Sequence, residues 1–262
     1  MVLWQCVLAA SAPGLFWLWV FWRRDRCEPE PKSKVLKLFG LGALFAGPVW
    51  FLEQWLPGPR DVYYDVFVRV ALVEESFKLL PVLLFAYRSR HFDEPMDGIV
   101  YAVAAGLGFA TVENVIYAMS LGPALLVQRA FTSTLAHAAF SGLIGYGLAK
   151  TKFGGGFGPV AAAFVAVVGL HGFYDLALHI GARPNTPDVY ARLTIGVTVP
   201  AMLLALYGTF NRACAESPYR RAMPTRPGRE SSHAAGSTAS DASSMQNATA
   251  SSEPPVDPAS LR

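Results

Sequence analysis

Cysteine is scarce: Cys6, Cys27 and Cys214 form an odd, scattered set without CxxC spacing, which argues against a disulfide framework and leaves three free thiols. Charge is scarce too, at 16% of residues with a formal net charge of +3. The basic residues fall between alternate apolar blocks rather than on one face, a distribution that points to membrane topology and away from nucleic acid. No basic residue precedes the first apolar run, Val2 to Trp22, while Arg23 and Arg24 follow it. That is the reverse of a secretory signal, so the run is expected to stay as a first helix with its N-terminus outside. HExxH, which fixes two imidazoles and a base on one helix, is absent, and so is any internal repeat.

What is abundant is apolar sequence in blocks about one bilayer long: 53% of the 262 residues are hydrophobic, and the mean hydropathy is +0.33. A span needs about 20 mostly apolar residues to cross roughly 30 Å of hydrocarbon. Seven such spans can be drawn, at about 2 to 22, 35 to 56, 63 to 87, 97 to 120, 124 to 149, 158 to 181 and 189 to 210. Arg23, Arg24, Arg26, Lys32 and Lys34, then Arg88 and Arg90, Lys150 and Lys152, and Arg212, Arg220 and Arg221 sit on alternate sides, whereas the opposite loops offer little beyond Arg60 and Arg183. The fold class expected is therefore all-α, a polytopic membrane helix bundle of about seven transmembrane helices, N-terminus out and C-terminus in. Trp17, Trp19, Trp22, Trp50 and Trp55 suit interfacial anchors, and Ser141, Gly145 and Ala149 form a small-residue stripe that lets a neighbouring helix approach. A membrane domain over 1–212 is expected, followed by a Ser-, Ala- and Pro-rich tail over 213–262 that lacks the apolar surface to order itself.

Polar residues inside these spans stand out. Glu74, Glu75 and Lys78 lie near the middle of the third, where a charge costs at least about 2.5 kcal/mol and usually faces a polar interior. On a helix Lys78 reaches both acids, at three and four residues, and can compensate one while the other stays available. The fourth span carries Phe109, Glu113 and Tyr117 in one stripe, the fifth His137 between Ser133 and Ser141, and the sixth His171, Asp175 and His179. By depth, Glu74, His137 and His171 sit near mid-membrane, and Glu113 and Asp175 in the outer half. They are expected to converge on a hydrated cavity opening outward, where a carboxylate acts as base toward water and imidazoles bind metal or stabilise an oxyanion.

At these residues the chain resembles the PrsW family of intramembrane proteases, which is similar in its motifs to the CAAX prenyl endopeptidases. Glu-Glu-Ser-Phe-Lys at 74 to 78 resembles the family's EExxK, and Phe109, Glu113 and Tyr117 resemble FxxxExxxY. His137, the pair His171 and Asp175, the run Asp93 to Tyr101 and Glu28-Pro29-Glu30-Pro31 are further points of likeness, within about residues 15 to 210. The resemblance implies a multi-pass cell-membrane peptidase that cuts membrane-associated substrates, in some members an anti-sigma factor at its first cleavage site.

In that reading Glu74 or Glu75 is the base, and Lys78 orients the acid that does not act. His171, steadied by Asp175, stabilises the oxyanion or binds metal, while Glu113 and His137 complete the water or metal site. The metalloprotease label of the family implies zinc, for which His137, His171 and Glu113 would make a three-ligand site with an open fourth position; a metal-free variant has the paired glutamates and His171 activate water directly. Two other classes fit intramembrane charges: a proton or ion transporter, with acids along a path through both leaflets, and a non-catalytic scaffold, which would tolerate Glu74→Gln.

Overall fold

Backbone groups inside a bilayer must be satisfied within their own segment, which restricts each long apolar run to helix. The computed structural model describes residues 3–25, 28–57, 61–181 and 189–222, and these hold no strand. Helices α1 (Leu3–Trp22), α2 (Lys32–Trp55), α3 (Val73–Phe85), α4 (Pro95–Leu121), α5 (Leu125–Phe131), α6 (Ser133–Lys150), α7 (Gly158–Gly181) and α8 (Val189–Glu216) follow in order. By length and composition α1, α2, α4 and α7 can each cross a membrane.

Two expected spans are built from two pieces. A π-helical stretch, Tyr64–Leu72, leads without a break into α3 at Val73, so the third span changes its winding one residue before Glu74. Such wide turns re-aim the side chains that follow and are frequent at functional sites. The fifth is split at Thr132, whose φ of −117° and ψ of −85° leave the helical region and separate α5 from α6. The first residues of the tail expected over 213–262 are helical instead, because α8 runs on to Glu216 and a short 3-10 turn covers Pro218–Ala222; from 223 onward the chain lies outside the described residues, as do Arg26, Arg60 and Arg183.

The bundle is organised around α4, whose first half from Pro95 to Thr111 is buried without interruption. Pro95 suits the first turn because its missing N–H has no helical partner there, and the Asp97 carboxylate accepts the Glu94 N–H at 2.7 Å. The small-residue stripe on α6 packs against this helix as its spacing predicts. A Cβ on Gly145 would collide with the Gly98 carbonyl oxygen, and one on Gly98 with that of Gly145, so these backbones approach as closely as only glycine permits. Ser141, one turn back along α6, faces Gly106, two turns further along α4.

Burial is inverted relative to a water-soluble domain. Trp4, Leu8, Leu44, Trp55, Leu84, Val127, Phe157, Val165 and Leu204 face outward, while Glu74, Glu75, Lys78, His137 and His171 are buried. That is the arrangement of a membrane protein. The tryptophans divide: Trp19, Trp50 and Trp55 stay exposed, but Trp17 and Trp22 turn inward, donating to the Ala130 and Glu30 carbonyls at 2.9 Å each. The loops after α1, α3 and α6 meet at one end of the bundle, where Lys34 donates to Ser89 and Lys152 to the carbonyls of Tyr87 and Phe92.

Candidate active site

The third span brings its two acids and its lysine together by helical spacing alone. Lys78 Nζ lies 2.8 Å from Glu74 Oε2 and 2.9 Å from Glu75 Oε1, and the ammonium also sits 4.6 Å from the Phe109 ring centroid. From α7, His171 Nδ1 meets Glu75 Oε1 at 2.8 Å, and its Nε2 lies 3.3 Å from Asp175 Oδ2 and 3.8 Å from Glu74 Oε2. The imidazole is stacked on Phe140 of α6, with centroids 4.9 Å apart. Gly172, next in sequence, leaves room for the Phe67 ring of the π-helical stretch, so α7 docks where His171 reaches the two acids.

A second group faces the first. Glu113 Oε2 is 2.7 Å from His137 Nε2 and 3.0 Å from an Arg129 terminal nitrogen. Arg129 is fixed by Asn114 Oδ1 at 2.6 Å and Ser133 Oγ at 3.0 Å, and lies over the Tyr117 ring. Composition of the fifth span concealed Arg129, which stands just before the break at Thr132; a cation inside an apolar run four residues before Ser133 was the available signal. The His137 and His171 rings are 5.8 Å apart, edge to face, and join the two groups.

Between them lies a cavity of about 610 Å³ lined by Glu74, Glu113, Arg129, His137, His171 and Asp175, among others. It continues past Trp50, Glu53, Ser120, Leu121 and His179, residues toward the ends of α2, α4 and α7 that lie away from the basic loops. Glu53 went unnoticed in the sequence, where it reads as the polar end of a span. The two adjacent acids divide as their helical offset of about 100° allows. Glu74 is part of the cavity wall, whereas Glu75 is sealed behind it, completely buried, with Oε2 lacking any hydrogen-bond partner.

The ligand trio expected from sequence, His137, His171 and Glu113, is not the one drawn together. Among the described residues of the cavity region, Glu74, Glu75 and His171 have ligand atoms within 4.8 Å of one another. Helix α6 directs His137 to Glu113, leaving His137 Nδ1 unpartnered, while α7 directs His171 to the paired acids. The unpartnered Glu75 oxygen and a carboxylate and imidazole donor set are compatible with a metal ion.

The family model described as PrsW family intramembrane metalloprotease matches residues 30–206. A protein named Protease PrsW from Geobacillus kaustophilus is 37% identical over 66% of this chain and 79% of its own length. Proteins of the same name from Bacillus subtilis and Clostridioides difficile are 32% and 34% identical, over 66% and 65% of this chain and 82% and 76% of theirs. No solved structure matches the chain significantly. The matched stretch carries every charged residue of the cavity, and the chain belongs to the PrsW family of intramembrane metalloproteases, which makes it a membrane peptidase.

Proposed function

We propose that the cavity hydrolyses a peptide bond of a single-span membrane protein, such as an anti-sigma factor, with Glu74 as the base. The observation that carries this assignment is the division of the pair: Glu74 borders the cavity and Glu75 does not. A water beside Glu74 gives its proton to that carboxylate as its oxygen attacks the scissile carbonyl carbon, and the proton then passes to the departing amine. Lys78 fixes the orientation of Glu74. Glu75 holds His171 through Nδ1, so that Nε2 is turned toward Glu74 and Asp175, on the side where the carbonyl oxygen gains charge. Arg129, anchored with His137 on Glu113, supplies further positive potential on the opposite wall.

The family description supports a metal, and zinc suits the donors. Glu74, Glu75 and His171 would hold it, Glu74 then serving as a ligand in place of a free base, and it would polarise water or the substrate carbonyl. Metal analysis of the purified protein should find one zinc per chain, with cleavage lost on chelation and restored by zinc. Full activity in metal-free protein would assign the chemistry to the carboxylates and His171 alone.

The proposal includes a multi-pass position in the cell membrane with the N-terminus outside and the basic loops in the cytosol, following the loop charges. A cavity continuing away from those loops then favours a scissile bond near or beyond the outer face. Mass spectrometry of the product ends tests this, and a cut on the cytosolic side would count against it. The base assignment is tested by Glu74→Gln in reconstituted protein with a single-span substrate. Cleavage should fall by about 10²- to 10⁴-fold while the protein stays monodisperse; wild-type turnover would remove Glu74 from the chemistry.

A further inference from the structure

A second group of acids lies at the end of the bundle that carries the basic loops, away from the cavity. Asp25 follows α1, Glu94 precedes α4 and Asp97 occupies its first turn, and all three are buried, with relative exposures of 3%, 0% and 1%. Each offers an oxygen within 4.8 Å of one from each of the other two. Three carboxylates so close repel one another unless something positive lies between them.

In each of the three, one oxygen is anchored by a donor and the other has none within hydrogen-bond geometry. Asp25 Oδ2 accepts the Glu30 N–H at 3.3 Å, Asp97 Oδ2 accepts the Asp93 and Glu94 N–H groups at 2.8 and 2.7 Å, and Glu94 Oε2 accepts the Ser217 hydroxyl. Asp25 Oδ1, Glu94 Oε1 and Asp97 Oδ1 are buried without a hydrogen-bond partner. Carboxylates held in this way by outer donors, with a second oxygen unused, are oriented like metal ligands. Nearby cations do not take up the free oxygens: Lys34 donates to Ser89, Lys152 donates to two main-chain carbonyls, and among the described residues none of the three acids has an ion pair. Glu30, whose carboxylate accepts from Tyr101, adds a fourth acid within hydrogen-bond reach of the Asp97 carboxyl, so that without a cation a proton must be shared between the two.

We infer that Asp25, Glu94 and Asp97 form a binding site for a hard divalent cation, of the calcium, magnesium or manganese class, which clasps the start of α4 to the loop after α1. The donor set is oxygen only, which suits these ions and distinguishes the site from the imidazole-containing cavity. Ser217 ties the turn after α8 to the same cluster, so the bound ion fixes three chain segments that are far apart in sequence.

Calcium is the probe. Equilibrium dialysis of the full chain in detergent micelles, after chelation, should find one bound Ca²⁺ per chain, retained by Glu75→Gln. Asp25→Asn should weaken that binding by about tenfold or more, because a ligand charge is removed while the anchored oxygen can stay in place. Saturating Ca²⁺ should also raise the midpoint of thermal unfolding by about 3–5 °C in wild type and by less in Asp25→Asn. Should Asp25→Asn fail to fold, Glu94→Gln takes its place in both measurements, and the wild-type stoichiometry stands without either. No retention of Ca²⁺, Mg²⁺ or Mn²⁺ by the wild-type chain would overturn the site, showing instead that shared protons neutralise the cluster. Undiminished binding in a folded Asp25→Asn or Glu94→Gln chain, or binding abolished by Glu75→Gln, would overturn it equally.

Discussion

At mid-bundle Glu74, Glu75 and Glu113 each have a cationic side chain within 3.0 Å, whereas at the basic end Asp25, Glu94 and Asp97 have none among the described residues. Both groups are buried, so the difference lies in how charge is compensated. In the first group Lys78 and Arg129, on the same or a neighbouring helix, supply counter-charge to the acids directly. In the second, hydrogen bonds anchor one oxygen of each acid, and among the described residues no cation forms an ion pair with any of the three, Lys34 and Lys152 acting on Asp97 only from a distance. Burial pushes the Asp25 carboxyl up to about 7, and desolvation raises Glu30 and Glu94 as well. The candidate active site thus carries its counter-charge on side chains, whereas at the basic end the proposed cation would supply it.

The strongest test of that contrast is Lys78→Met. Removing one partner of a buried ion pair usually costs about 3–5 kcal/mol, because the remaining charge has neither water nor a counter-ion. Two acids depend on Lys78, so the variant is expected to accumulate poorly or unfold at much lower denaturant. Adding Glu74→Gln and Glu75→Gln removes the orphaned charges, and the triple variant should recover most of the stability without cleaving substrate. Recovery of neither would mean that packing around Lys78, and not charge, is what matters.

A smaller effect is expected at the other group. Tyr101→Phe removes the donor to the Glu30 carboxylate and to the His91 carbonyl, leaving buried acceptors unpaired at a cost of about 1–3 kcal/mol. Chemical denaturation should register the loss while cleavage per folded molecule is unchanged. A loss of cleavage with full stability would link the basic end to the active site directly and break the separation drawn here.

Legibility followed the range of the interaction. Glu74, Glu75 and Lys78, or His171 and Asp175, could be paired from the sequence because three- and four-residue spacing on one helix determines their proximity. The contact of His137 with Glu113, and that of His171 with Glu75, depends on how α6 and α7 are rotated against their neighbours, which periodicity does not reveal. The expected trio of His137, His171 and Glu113 differs for that reason from the group drawn together, Glu74, Glu75 and His171. Arg129 was hidden by the assumption of a continuous fifth span, since the break at Thr132 has no proline or glycine to announce it. Asp25, Glu30 and Glu94 stand in loop sequence, where spacing carries no sign of burial; only the tertiary fold buries them. The small-residue stripe on α6, by contrast, could be read directly, because close approach leaves a compositional mark.

The smallest expected effect lies on the surface. Lys150 and Glu216 are paired at 3.2 Å between the ends of α6 and α8, but their side chains are 43% and 37% exposed, and Tyr146 shares the same carboxylate oxygen. Water and salt screen such a pair, and its two long side chains lose freedom in forming it, so Lys150→Ala should change stability by no more than about 0.5 kcal/mol. The effect should vanish at high ionic strength, whereas that of Lys78→Met should persist, because mobile ions do not enter the bundle to replace its buried partner. Measuring both variants across a salt series therefore separates ion pairs by burial alone: equal salt dependence would mean that the mid-bundle charges are open to solvent, and would remove the reason for assigning them a protected reaction chamber.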